Sequence, residues 1–217
     1  FTLGLQAQYY FNEINPAGQN PGALNTDPEQ PFGAPGVTVA DGYTGLIANG
    51  TTALTWSPVQ TIPFPFSFNG SPVSSFKVSN TGVLTFTTTA TTVPPLANTT
   101  LPSTSIPDNS VMVWGLQQGA GGSANDGVTI KTHGTAPNRQ LWVNFHSYGA
   151  PGATGQQWTY WGIVLEESTN KLYVVDQRTF NTPLTLTIGV QINSTTAVTV
   201  GTGATAAPNT PSFVTNG

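Results

Sequence analysis

Short runs of alternating apolar and polar residues, separated by turn signals, recur along this chain, and no stretch carries a helical period. That pattern restricts the fold to an all-β architecture, and the order of the runs predicts an antiparallel β-sandwich of jelly-roll-like type. TALTWSP (52–58) reads as a strand. VSSFKVS (73–79) and GVLTFTT (82–88) flank Asn80-Thr81-Gly82, a hairpin turn. VMVWGL, VTIKTH, LWVNFHSY, WTYWGIVLEE, KLYVVDQ, LTLTIGVQI and AVTV continue the series from residue 111 to 200, and EESTNKL (166–172) reads as a second tight hairpin. No repeat of regular period appears, which excludes a solenoid or a propeller.

The stretch PFPFSFNG (63–70) adds a constraint. Side chains alternate between the faces of a strand, and backbone N–H groups alternate between its edges. Phe64, Phe66 and Phe68 therefore share one face, which is expected to be core. Pro63 and Pro65 share the other parity, so both missing N–H groups lie on one edge. Such a strand belongs at the border of a sheet, where proline blocks accidental pairing.

The chain is read as one domain over 1–217. Within it, 1–50 is an N-terminal strand plus a long loop, and 203–217 is a low-complexity tail. LGLQAQYYF (3–11) places Leu3, Leu5, Ala7, Tyr9 and Phe11 on one face. Residues 15–36 are rich in Pro, Gly and Asn and show no period. A chain that opens on Phe1, with its one methionine at Met112, is expected to be a processed product or a segment.

Charged residues make up 6% of the 217, and the five lysines and arginines are scattered. No basic patch for nucleic acid or an anionic membrane exists, and no apolar run approaches a membrane span. Weak like-charge repulsion favours association between copies. Cysteine is absent, so thiolate metal sites are excluded and the core alone must hold the fold.

IPFPFSFNGSPVSSFKVSNTGVLTFTT (62–88), VMVWGL (111–116), YWGIVLEESTNKLYVVDQ (160–177) and TIGVQINSTTAV (187–198) occur in that order. Together they resemble a β-sandwich module of secreted bacterial surface proteins, of adhesin-like type. Nidogen-like and plexin-domain-containing extracellular proteins carry distant versions. The resemblance implies an extracellular module without chemistry of its own. Related modules often carry acidic residues after the tryptophan of the middle strand. Here Trp114-Gly115-Leu116-Gln117 has none, so a calcium role of that loop does not carry over.

Candidate chemistry is sparse. Glu166 and Glu167 are adjacent, so in a strand they point to opposite faces and read as solvated hairpin residues rather than the facing pair a glycosidase needs. ANDG (124–127) and TDPEQ (26–30) lack the spacing of a calcium loop. His133 and His146 sit on neighbouring runs and with Asp126 form the one conceivable metal set. No G-x-S-x-G elbow, P-loop or dinucleotide fingerprint appears. An enzyme is not expected, nor is a metal or cofactor. Sequons at Asn49, Asn69, Asn98 and Asn193 are of the number a Thr- and Asn-rich chain gives by chance.

Two functions fit. The first is a secreted, non-catalytic structural protein of a bacterial cell surface or filament, self-assembling by β-strand addition. Its partners are copies of itself or other surface proteins, and Leu3, Leu5, Tyr9 and Phe11 are the subunit-contact residues. The same residues 3–11 equally suit the first strand of their own sandwich. The second is a carbohydrate-binding or adhesion module that stacks glycans on Trp158, Tyr160 and Trp161, residues that core packing would also explain.

Overall fold

The computed structural model describes residues 11–14, 24, 34–48, 50–118, 126–149, 151–152, 159–178, 184–206 and 212–216. In chain order the strands are β1 (Phe11–Ile14), β2 (Thr44–Ala48), β3 (Gln60–Phe68), β4 (Ser71–Val78), β5 (Val83–Thr85), β6 (Ser110–Trp114), β7 (Gln117–Gln118) and β8 (Gly127–His133). They continue as β9 (Gln140–His146), β10 (Tyr148–Gly149), β11 (Tyr160–Glu166), β12 (Lys171–Arg178), β13 (Leu184–Asn193), β14 (Thr196–Ala206) and β15 (Ser212–Asn216). No helix occurs among the described residues.

The strands form two antiparallel sheets that pack face to face, a β-sandwich as the alternation predicts. One sheet has the order β1-β15-β12-β11-β9-β8-β2, the other β14-β13-β6-β5-β4-β3, and β10-β7 is a separate ribbon. A single apolar cluster joins their inner faces: Phe66, Val78 and Val113 from one sheet meet Val143, Phe145 and Ile163 from the other. Phe64, Phe66 and Phe68 are 5%, 3% and 2% exposed, which confirms the three rings as core.

The outer face of the six-stranded sheet is also buried. Val83, Met112 and Trp114 lie under Leu101 and Ile106 of the Pro-rich connection between β5 and β6. Polar groups tie that connection down. The Gln191 amide accepts from Ser103 N–H at 2.8 Å and donates to the Ser103 and Ile106 carbonyls at 3.0 and 2.8 Å. Trp114 Nε1–H donates to the Pro95 carbonyl, and Asn98 Nδ2 donates to the carbonyls of Trp114 and Thr185. On the outer face of the seven-stranded sheet Trp142, Val164, Tyr173 and Val175 form a second buried group.

Several expectations are corrected. TALTWSP is not a strand; it meets β4 and its end through an isolated bridge between Trp56 and Ser79 and through hydrogen bonds between Ser57 and Val78. The Asn80 side chain takes the backbone groups a ladder would use, accepting from Thr55 N–H and donating to the Thr51 and Ala53 carbonyls. LWVNFHSY is two strands, because Ser147 adopts φ 58° and turns the chain out of β9 into β10. The described part of the expected 203–217 tail is strand: 203–206 end β14, and β15 inserts between β1 and β12 with pairing on both sides. The Ser-Phe-Val alternation needs two neighbouring strands to become ordered, which local composition does not reveal.

Candidate functional site: the sheet edges

An exposed strand edge is a row of unpaired donors and acceptors, and natural sandwiches blunt it with proline, charge, bulges, short length or a covering segment. Two sheets give four edges here.

At β3 the two-residue turn Asn69-Gly70, with φ 49° and 74°, closes on the pair Phe68↔Ser71. In this turn geometry the closing pair directs its N–H groups across the hairpin, so Phe68 and Phe66 point theirs toward β4. Ser67, Pro65 and Pro63 then face the free side. The two prolines have no N–H, and the Ser67 N–H donates to Asn170 Oδ1 at 2.8 Å. Within β3 the ladder breaks between Thr61↔Ser75 and Phe66↔Val73, so residues 62–65 stand opposite Ser74 alone. The proline segment thus lies at a sheet edge and outside the continuous ladder, as its parity requires.

At β2 the free side is covered. Gly36 N–H donates to the Gly45 carbonyl at 2.8 Å, and Gly45 N–H donates to the Val37 carbonyl at 3.2 Å. β1 is four residues long, carries Glu13, and pairs with β15 of the same chain. β14 is different. It runs for 11 residues with neither proline nor charge, pairs with β13 on one side, and meets no described strand on the other.

Beneath β3 lies a groove of about 710 Å³ floored by Phe64, Phe66 and Val73 and rimmed by Ser168 and Asn170 of the β11–β12 turn. At its end Arg139 and Glu167 form a bidentate pair at 2.7 and 2.8 Å, and the guanidinium sits 5.4 Å over the Phe64 ring. The hydrogen bonds from Arg139 hold the Glu167 carboxyl below its usual range. Glu166 is engaged too: Gln140 Nε2 donates to it at 2.7 Å and the Tyr173 hydroxyl at 3.1 Å. The two carboxylates are structural anchors rather than solvated hairpin residues.

The histidines do not meet. His133 pairs with Gln140 and His146 with Gly127, so they occupy opposite ends of β8–β9, roughly 20 Å apart at the rise of a strand. His146 is buried with Nε2 2.9 Å from Thr129 Oγ1. No cluster of three metal-ligating side chains occurs among the described residues.

Of the glycan-stacking candidates, Tyr160 is 3% and Trp161 0% exposed. Trp161 packs in the inter-sheet core and Tyr160 lies edge-on to His146 on the opposite face. Neither ring has a free face for a sugar, because both faces of this sheet are covered. Trp158, Leu3, Leu5 and Tyr9 lie outside the described residues. The backbone of Phe11 pairs with Thr215 of its own chain. Asn170 is the residue the sequence does not announce; the turn is legible in EESTNKL, but its contact with Ser67 spans 103 positions.

Fold and edges together define a two-sheet antiparallel sandwich module with two sealed borders and a long uncharged one that no described strand covers. The chain belongs to the NIDO-related family, whose model matches residues 38–216. This establishes the distant nidogen-like relationship. No curated protein and no solved structure gives a significant match.

Proposed function

We propose that this chain is a non-catalytic structural module of a bacterial extracellular surface or filament, and that it associates with copies of itself through sheet edges. The observation that carries this reading is the contrast between borders. β3 loses every outward donor from 63 to 67, by proline or by Asn170, while β14 keeps its edge uncharged and proline-free. Sealing one edge so thoroughly is useful to a protein that lives with strand pairing between copies. The low charge of the whole chain removes the usual electrostatic obstacle. Negative-stain microscopy of the purified chain, beside its mass in solution, tests the proposal. Ordered oligomers or filaments support it, and a monomer at high concentration contradicts it. No observation favours the carbohydrate-binding alternative, since Tyr160 and Trp161 are buried.

A further inference from the structure

We infer that Asn193, at the tip of the β13–β14 hairpin, is the acceptor of an N-linked glycan delivered from an isoprenoid pyrophosphate-linked donor. The inference goes beyond the assembly proposed above and shares with it only passage out of the cell.

Sequons are frequent in this chain, so spacing alone selects none of them. The structure separates them by what holds the side-chain nitrogen, the atom that bonds to the sugar. Asn193 Oδ1 accepts the backbone N–H and the Oγ1–H of Thr195, both at 2.9 Å. These bonds fix the amide through its oxygen, and its Nδ2 makes no hydrogen bond among the described residues. Ser194 and Thr195 form an exposed turn outside the ladder, closed by the pair Asn193↔Thr196. The hydroxyl that a sequon requires two positions after asparagine therefore already lies against the amide. Asn98 is the opposite case, because its Nδ2 is engaged by the carbonyls of Trp114 and Thr185 at 3.2 and 3.0 Å. At Asn69 the required hydroxyl belongs to Ser71, which is already in β4 and paired with Phe68. Asn49 lies outside the described residues. Asn193 is half-buried at the end of β13 and outside the apolar core, so a bulky polar substituent there displaces no core side chain.

In the transfer, Asn193 Nδ2 attacks the anomeric carbon of the donor glycan. The C–N bond forms as the bond from the anomeric carbon to the phosphate oxygen breaks. The lipid pyrophosphate leaves with the electron pair, and the amide gives one of its two protons to a base on the transferase.

The test presents the purified, folded full chain to an oligosaccharyltransferase that reads Asn-x-Ser/Thr, together with its lipid-linked donor, and maps each site by peptide mass. Asn193 is expected to gain the glycan mass. Asn98 is expected to react about tenfold or more slowly, because its two hydrogen bonds must open first. Gln191→Leu, which loosens the connection that holds Asn98, is expected to narrow that gap by speeding Asn98 alone. Thr195→Val keeps the shape of the side chain and is expected to abolish modification at 193, and Thr195→Ser to retain it, with the circular dichroism spectrum unchanged in both. A native preparation is expected to carry glycan on the peptide containing Asn193. Asn193 left bare in the folded chain, Asn98 modified equally fast, or a native preparation without glycan at 193 overturns the inference. Each of these outcomes leaves self-association untouched, since mass in solution decides it separately.

Discussion

Asn170 Oδ1 accepts the backbone N–H of Ser67 at 2.8 Å, joining the β11–β12 turn of one sheet to the border strand of the other. The bond completes what the prolines begin, since Ser67 is the next outward donor after Pro63 and Pro65. Asn170 sits at φ 53°, so Asn170→Gly removes the cap without straining the backbone. The expected loss is about 0.5–1.5 kcal/mol, the net value of one hydrogen bond. Combined with Pro63→Val and Pro65→Val, it is expected to turn a sealed edge into a sticky one. Light scattering on mild heating reads this directly: faster growth for the triple variant supports the sealing role, and unchanged growth removes it.

Phe66 is 3% exposed and stacks on Phe86 at 6.2 Å between centroids. Phe66→Ala is expected to cost about 3–5 kcal/mol by denaturant titration, from lost burial and the cavity left behind. A cost below about 1 kcal/mol would place the ring outside the cooperative core.

Gln191 is fully buried and makes three hydrogen bonds to the connection between β5 and β6. Gln191→Leu keeps the volume but strands one N–H and two carbonyls. A loss of about 2–4 kcal/mol is expected, with faster proteolysis within 94–109. Equal protease resistance in both chains would show that the connection holds without its anchor. Asn98 belongs to the same anchoring set. Its Nδ2 donates to two carbonyls and its side chain packs against Gly115, so a glycan at this sequon requires the fold to open there. A native, secreted preparation is expected to carry none at Asn98 by peptide mass mapping.

His133 gives a pH dependence. Burial first, and then the neighbouring Lys131, push its pKa from 6.5 down to about 4, with a hydrogen bond to the Leu24 backbone opposing. The unfolded chain takes up this proton near pH 6.5, whereas the folded chain holds it only near 4. Between those values the unfolded state binds more protons, so stability rises with pH. The contribution is complete above about pH 7, falls as pH drops through 6.5, and levels off below about 4. For a partly exposed ring its size is about 1–2 kcal/mol after solvent screening. Melting from pH 4 to 8 is expected to lose that part of its slope in His133→Gln, and an unaltered slope would assign the effect elsewhere.

Much of this fold was legible because period and turn chemistry are local. The hairpins at Asn80-Thr81-Gly82 and Ser168-Thr169-Asn170 followed from turn residues, and the border position of β3 followed from proline parity alone. What escaped depends on contacts distant in sequence. The Asn80 side chain converts 51–55 from strand to bridged loop. β15 is a strand because β1 and β12 flank it. The burial of Tyr160 and Trp161 follows from cover on both faces of the seven-stranded sheet, and a period of two cannot say whether the outer face is wet or dry. Asn170 as an edge seal was out of reach for the same reason.

Sedimentation velocity of the full chain over a wide concentration range, at low and at high salt, tests the central claim most directly. An interface made of main-chain hydrogen bonds on uncharged strands is not screened by ions. Reversible growth in mass with concentration is expected, and it persists undiminished at about 1 M salt. A single monomeric species at the highest concentration, or association that vanishes when salt is added, would contradict it.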